Sequence, residues 1–234
     1  MVAAWGCAAA GIGVAPAVAR SPQAVRAVAS CSPKHHRVTA ETPRVIVYAQ
    51  PTGVDPYSGG MLTTYYACLR PKGRSVAIGH SATSGGEYPP NVEINDLRIA
   101  GTFITDESAS GFASAAGCSK YDPGSACQNI VKYWVEIANV ATRRTMKVFV
   151  PGPVSSLALS RAGAAAWVVS TPASGSSGSS SSTLYAIAVH AAGHRSLSGQ
   201  SVMVDSGQAI SSVSFAGSTL RWSNDGQPKS RTIS

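Results

Sequence analysis

The chain has 234 residues, of which 44% are hydrophobic and only 13% charged. That apolar share excludes a chain disordered by composition, and the length suits one sizeable β domain or two small ones. Lys and Arg outnumber Asp and Glu by 19 to 11, a net charge of +8 that favours anionic partners but, spread over a surface, names none.

Residues 1–19 are apolar and uncharged and end in Ala17-Val18-Ala19, an A-x-A-like cleavage site. This predicts a signal peptide over 1–19 and a secreted or cell-envelope location. Pro16 and the richness in Ala and Gly argue against a membrane span. Residues 20–43 hold Pro22, Pro33 and Pro43 with little apolar periodicity and read as a flexible leader. Within it, Val28-Ala29-Ser30-Cys31 is similar to a lipobox, although Arg20 and Arg26 separate it from the apolar segment.

With Cys7 removed alongside the signal, Cys31, Cys68, Cys118 and Cys127 remain. Cys118 and Cys127 flank the turn-rich SKYDPGSA and form the natural local disulfide, which an exported location permits. Cys31–Cys68 is the weaker pairing, because a cysteine in strand sequence can simply be buried as a small hydrophobe. There is no C-x-x-C and so no zinc knuckle.

From RVIVYAQ (44–50) onward the chain reads as strands, rich in β-branched residues and interrupted by Gly, Pro and Ser. Two hairpin types alternate. One turns at Ala-Gly: RIAGTFITD (98–106), SRAGAAAWVV within 157–170, and SFAGSTLRWS within 213–223. The other turns at a basic residue, over 64–78, 132–150 and 184–199, with Arg74, Arg144 or Arg195 after the turn. An arginine there can guard a sheet edge. Together the hairpins predict antiparallel four-stranded repeat units, an all-β chain built as a small or partial β-propeller over 44–234. The first unit lacks its opening hairpin and the last ends in one short strand, so the N-terminal strands are expected to complete the C-terminal sheet. SGSSGSSSS (174–182) reads as a loop within one unit rather than a domain boundary.

WSNDGQ (222–227) resembles the W-S-P-D-G motif of WD40-like repeats in periplasmic TolB-like propellers, with Asn224 in the proline position. The run 44–234 more broadly resembles uncharacterised secreted repeat proteins of actinobacterial type, in its IAGTFIT and GAAAWV strands and closing LRW-x-x-DG. The resemblance implies a propeller-like fold outside the cytoplasm and brings no catalytic residues.

Candidates for chemistry are sparse. Gly79-His80-Ser81-Ala82-Thr83 approaches a nucleophile elbow but lacks the final Gly and the following helix. His190 and His194 have i, i+4 spacing, but Gly193 places them in a hairpin, where four strand residues span about 13 Å. Asp106 and Glu107 are adjacent in a strand and point to opposite faces. Asp225 is expected to support its own Asn-Asp-Gly turn. Lys34-His35-His36-Arg37 and the group Arg143, Arg144 and Lys147 are not interleaved with aromatics as a nucleic-acid platform requires. Tyr65, Tyr66, Trp134, Trp167 and Trp222 suit core packing; as a stacking surface for a sugar, Trp134 and Trp222 are the ones to test.

The expectation is a non-catalytic extracytoplasmic interaction module that binds a protein or envelope glycan, with no cofactor, metal or specific nucleic acid. The alternatives are a hydrolase or lyase with its site in the propeller channel, and a basic binder of anionic envelope polymer. An enzyme would need His, Asp, Glu or Arg converging in that channel with perturbed titration.

Overall fold

The computed structural model describes Cys31 and residues 36–54, 59–70, 72–82, 93–113, 129–171, 180–194 and 196–234. Within these the chain is all-β. Sheet I is β1 (Arg37–Glu41), β2 (Val45–Val54), β3 (Met61–Leu69) and β4 (Arg74–Ala82), in that spatial order. Sheet II carries β5 (Glu93–Ala100), β6 (Phe103–Ala113), β7 (Asn129–Asn139) and β8 (Arg144–Val150) side by side. Sheet III is formed by β9 (Val154–Leu159), β10 (Ala165–Thr171) and β11 (Ser181–Ile187), with β14 (Val202–Gly207) as its fourth strand. Between β11 and β14 the chain leaves as a small hairpin, β12 (His190–Ala192) and β13 (Ser196–Ser198). That hairpin extends sheet II through a parallel bridge from Ser196 to Thr145 of β8. Sheet IV has three strands, β15 (Ile210–Ala216), β16 (Thr219–Asn224) and β17 (Gln227–Thr232).

Three expectations change, and one pairing left open in the sequence is decided. The 184–199 segment is not one hairpin: its first strand belongs to sheet III, and the rest docks on sheet II. Strand β1 lies inside the stretch read as leader, because it pairs with β2 and gives the first unit the opening hairpin it lacked in sequence. The N-terminal strands therefore build sheet I and do not complete sheet IV, whose outer strand β17 keeps a free edge among the described residues. Cys31 and Cys68 are disulfide-bonded, with their Cα atoms 5.8 Å apart. Cys118 and Cys127 lie outside the described residues. The flanks of the Gly/Ser run do stay neighbours, with β10 and β11 pairing from Ala165↔Ile187 to Thr171↔Ser181.

The sheets stack face to face in chain order, and side-chain parity explains how. On β7, Val135 and Ile137 point to sheet III, where Leu157, Ala165, Trp167, Val169 and Ile187 meet them. Ala138, on the opposite face, packs with Ile104 and with Val45, Val47, Ala67 and Leu69 of sheet I. On β10 the odd positions face sheet II. The even ones, Ala166 and Val168, face Leu220 and Trp222 of sheet IV. A strand covered on both sides must be apolar at every position, which is why AAWVV shows no alternation. The end sheets have only one covered face: sheet IV turns Arg221 and Ser230 outward. The outer face of sheet I carries the disulfide and a stacked row of His36, Tyr48 and Tyr66, with ring centroids 5.6 Å apart at each step. Among the described residues no apolar core joins sheet I to sheet IV.

Candidate functional site

The first hairpin turn of each sheet reaches a common place. Thr42-Pro43-Arg44 of sheet I, Ile99-Ala100-Gly101 of sheet II, Leu159-Ser160-Arg161-Ala162 of sheet III, and Phe215, Gly217 and Ser218 of sheet IV line one cavity of about 920 Å³. Three of these turns are the Ala-Gly turns that recur in the sequence. Their glycines, Gly101, Gly163 and Gly217, have φ of +66°, +96° and +63°. Glycine enters this left-handed region without the Cβ penalty, so the chain can reverse tightly there.

Each turn is tied down locally. In sheets I, II and IV the residue leaving the turn accepts a backbone hydrogen bond from the end of the sheet's third strand. Arg70 N donates to Arg44 O at 2.7 Å, Val140 N to Thr102 O at 2.9 Å, and Ile233 N to Ser218 O at 3.0 Å. In sheet I, Val45 N also donates to Thr42 Oγ1 at 3.0 Å. In sheet III, Ala164 N donates to the Ser160 hydroxyl at 2.9 Å, and Gly163 N donates to Ser160 O at 3.1 Å. The turns also pack against one another. A Cβ on Gly101 would stand 3.8 Å from the Arg161 stem, and one on Gly163 would stand 2.7 Å from the Phe103 ring of sheet II.

Chemically the cavity joins an apolar wall of Ile99, Leu159 and Phe215 to small turn residues and two arginines, Arg44 and Arg161. Among the described residues no Asp, Glu or His lines it. The four ion pairs of the described residues engage Arg70, Arg98, Lys147 and Lys229, leaving Arg44 and Arg161 outside them.

The residues singled out in the sequence lie elsewhere. Trp222 is buried in the core between sheets III and IV at 6% exposure, and its indole N–H donates to Asp205 at 2.7 Å, so its ring faces neighbours rather than solvent. Trp134 is half-buried on β7, paired across the strands with Phe149, and Lys147 Nζ lies 5.9 Å from its ring centroid. Trp167 is fully buried and stacks on Tyr185. Ser81 sits within β4 opposite Thr63, so the 79–83 stretch is strand rather than elbow up to Ala82. His190 Nε2 is 2.7 Å from the Ser198 hydroxyl, and His194 lies in the turn beyond β12. Arg74 and Arg144 each open the last strand of their hairpin.

Two carboxylate clusters are structural, and of their acids Asp205 is the one that the sequence did not single out. Asp205 of β14 accepts hydrogen bonds from Trp222, from Asn224 at 2.9 Å and from Lys229 at 2.9 Å, which joins sheet III to sheet IV. Partial burial pushes its carboxyl up. The bonds from Lys229, Trp222, Asn224 and the Ser206 backbone outweigh this and hold it at about 2. Asn224 thus uses its amide where the motif's proline has none, and Gly207 leaves the room, since a Cβ there would run into that amide. Asp225 corrects an expectation: its carboxylate accepts from Ala209 N at 2.9 Å, bracing β15 rather than its own turn. On sheet II, Asp106 and Glu107 do diverge. Glu107 accepts from Val154 N at 2.9 Å toward sheet III, while Asp106 accepts from Ser108 on the opposite face. Burial first, then Glu136, raises the Asp106 carboxyl well above the ordinary range. Among the described residues no three His, Cys, Asp or Glu gather as a metal-holding group, and no helix is long and apolar enough to cross a membrane.

Compared with known proteins, the chain matches no family model, no curated protein sequence and no solved structure.

Proposed function

We propose that the chain is a non-catalytic extracytoplasmic binding module of propeller-like build, and that its ligand seats in the cavity where the four first-hairpin turns meet. The observation that carries this is the convergence itself: the three recurring Ala-Gly turns and the first turn of sheet I line one cavity. A cavity of about 920 Å³ falls within the range of ligand sites, and turns held by a packed β scaffold present a preformed rim. The lining supports binding rather than hydrolysis. Among the described residues it holds no carboxylate or imidazole to move a proton. The raised carboxyl of Asp106 is buried between sheets I and II, three residues along β6 from Phe103 and roughly 10 Å from the turn. The apolar leader with Ala17-Val18-Ala19 supports export, and the recurring turns support kinship of architecture with WD40-like secreted repeat proteins.

The test is a thermal-shift titration of the full chain with soluble fragments of cell-envelope glycan, beside an Ala162→Trp variant that fills the cavity. A ligand that seats there raises the melting temperature of the parent chain by linkage and not that of the variant. An equal rise in both places the ligand elsewhere and overturns the proposal.

A further inference from the structure

We propose that the turn cavity is an oxyanion site, in which Arg44 and Arg161 together hold a carboxylate, sulfate or phosphate carried by the ligand. This rests on the cavity being the binding seat and adds the chemical class that it selects.

Three observations converge. First, the charge in the cavity has one sign. Arg44 comes from the turn of sheet I and Arg161 from that of sheet III, and every other lining residue among the described ones is neutral. Two cations lining one concavity focus a positive potential into it, and the apolar surfaces of Ile99, Leu159 and Phe215 strengthen it by displacing water. Second, neither guanidinium enters an ion pair among the described residues, whereas Arg70 and Arg98 do. Arg70 pairs with Glu41 at 3.0 Å, and Arg98 pairs with Asp96 while its Nε donates to Leu157 O at 3.2 Å. The cations that brace the sheets are thus distinct from those that line the cavity. Third, one of them is held beside a neighbouring turn: a Cβ at Gly101 of sheet II would lie 3.8 Å from the Arg161 Cβ and Cγ, at ordinary contact distance, so the stem of Arg161 runs along that turn.

The residue type also matters. Arginine offers planar N–H pairs that match the two oxygens of a carboxylate, sulfate or phosphate, and it stays charged at any physiological pH. Ser218, an exposed residue of the lining, adds a hydroxyl that can donate. The volume exceeds what one oxyanion fills, so the rest of the ligand lies along the apolar wall, as the ring of an acidic or phosphorylated sugar does.

Isothermal titration of the full chain with inorganic phosphate, glucuronate and neutral glucose tests this. At least one anion is expected to bind saturably and to weaken with added salt, while glucose does not bind. Arg44→Gln and Arg161→Gln should each weaken that binding about ten- to a hundredfold, the effect of losing a charge-assisted hydrogen bond. Arg74→Gln, outside the cavity, should change nothing. Binding of phosphate alone names a phosphorylated ligand, and binding of glucuronate alone names an acidic sugar. No anion binding, or binding indifferent to both cavity substitutions, overturns the proposal. The two failures separate. If glucose binds, Ala162→Trp abolishes it and the arginine variants do not matter, the cavity remains the seat and the oxyanion assignment falls. If Ala162→Trp leaves all binding intact, the seat falls as well.

Discussion

Asp106 and Glu136 stand directly opposite each other across β6 and β7, on the face of sheet II that carries Ile104 and Ala138 toward sheet I. Asp106 is only 1% exposed, while Glu136 meets the Lys147 ammonium in an ion pair. Burial and the Glu136 charge favour the neutral acid at Asp106, and the pull of Ser108 and Lys147 in the other direction is smaller.

A carboxyl raised on folding contributes stability that is fully present below its ordinary value of 3.8 and is lost as pH rises through the folded value. The parent chain should therefore lose stability toward alkaline pH, and Asp106→Asn, which is neutral throughout, should flatten that loss. Urea midpoints from about pH 4 to about pH 9 would show the two curves converging at the acid end. Parallel curves would mean that Asp106 does not carry the proton.

Asp205 has the opposite sign. Its carboxyl is lowered from 3.8 to about 2, so its contribution is present above 3.8 and disappears as pH falls toward 2. Asp205→Ala leaves the Trp222 indole without its acceptor and the Asn224 amide with Ser206 O alone, and should cost about 2–4 kcal/mol near neutral pH. Because these bonds join sheet III to sheet IV, Trp222 fluorescence should report the loss before any probe on sheet I.

Gly163 and Gly217 separate backbone strain from crowding. Both have positive φ, so Gly→Ala at either should cost about 1–2 kcal/mol. Only at Gly163 does the new methyl meet an obstacle, the Phe103 ring, whereas nothing lies within 4 Å of a Cβ at Gly217. Gly163→Ala should thus be the worse by about 1–3 kcal/mol in chemical denaturation. Equal losses would show that Phe103 yields.

The Cys31–Cys68 bond closes a loop between residues 37 apart in sequence and ties the segment before β1 to the outer face of sheet I. Cys68→Ala, or reduction, should lower stability by about 2–4 kcal/mol. A sulfur in this disulfide cannot also carry a lipid thioether, so intact mass should show no lipid on Cys31. A lipid-sized increment would refute the pairing.

Much of the architecture is local and so was legible in the sequence. Ala100-Gly101, Ala162-Gly163 and Ala216-Gly217 mark turns because glycine alone reaches their backbone angles cheaply, and the strands between them alternate or run apolar according to how many faces they bury. Residues 184–199 misled for the same reason: a hairpin pattern says that two strands turn, not which sheet receives them, and β13 went to β8. The Cys31–Cys68 partnership, the Asp106–Glu136 opposition and the bond from Trp222 to Asp205 join residues far apart in the chain, and local pattern carries no term for them. Arg44 and Arg161 show the same limit. Each reads as one more cation at a turn, and only the stacking of the four sheets, driven by apolar faces that must cover one another, brings both to a single cavity.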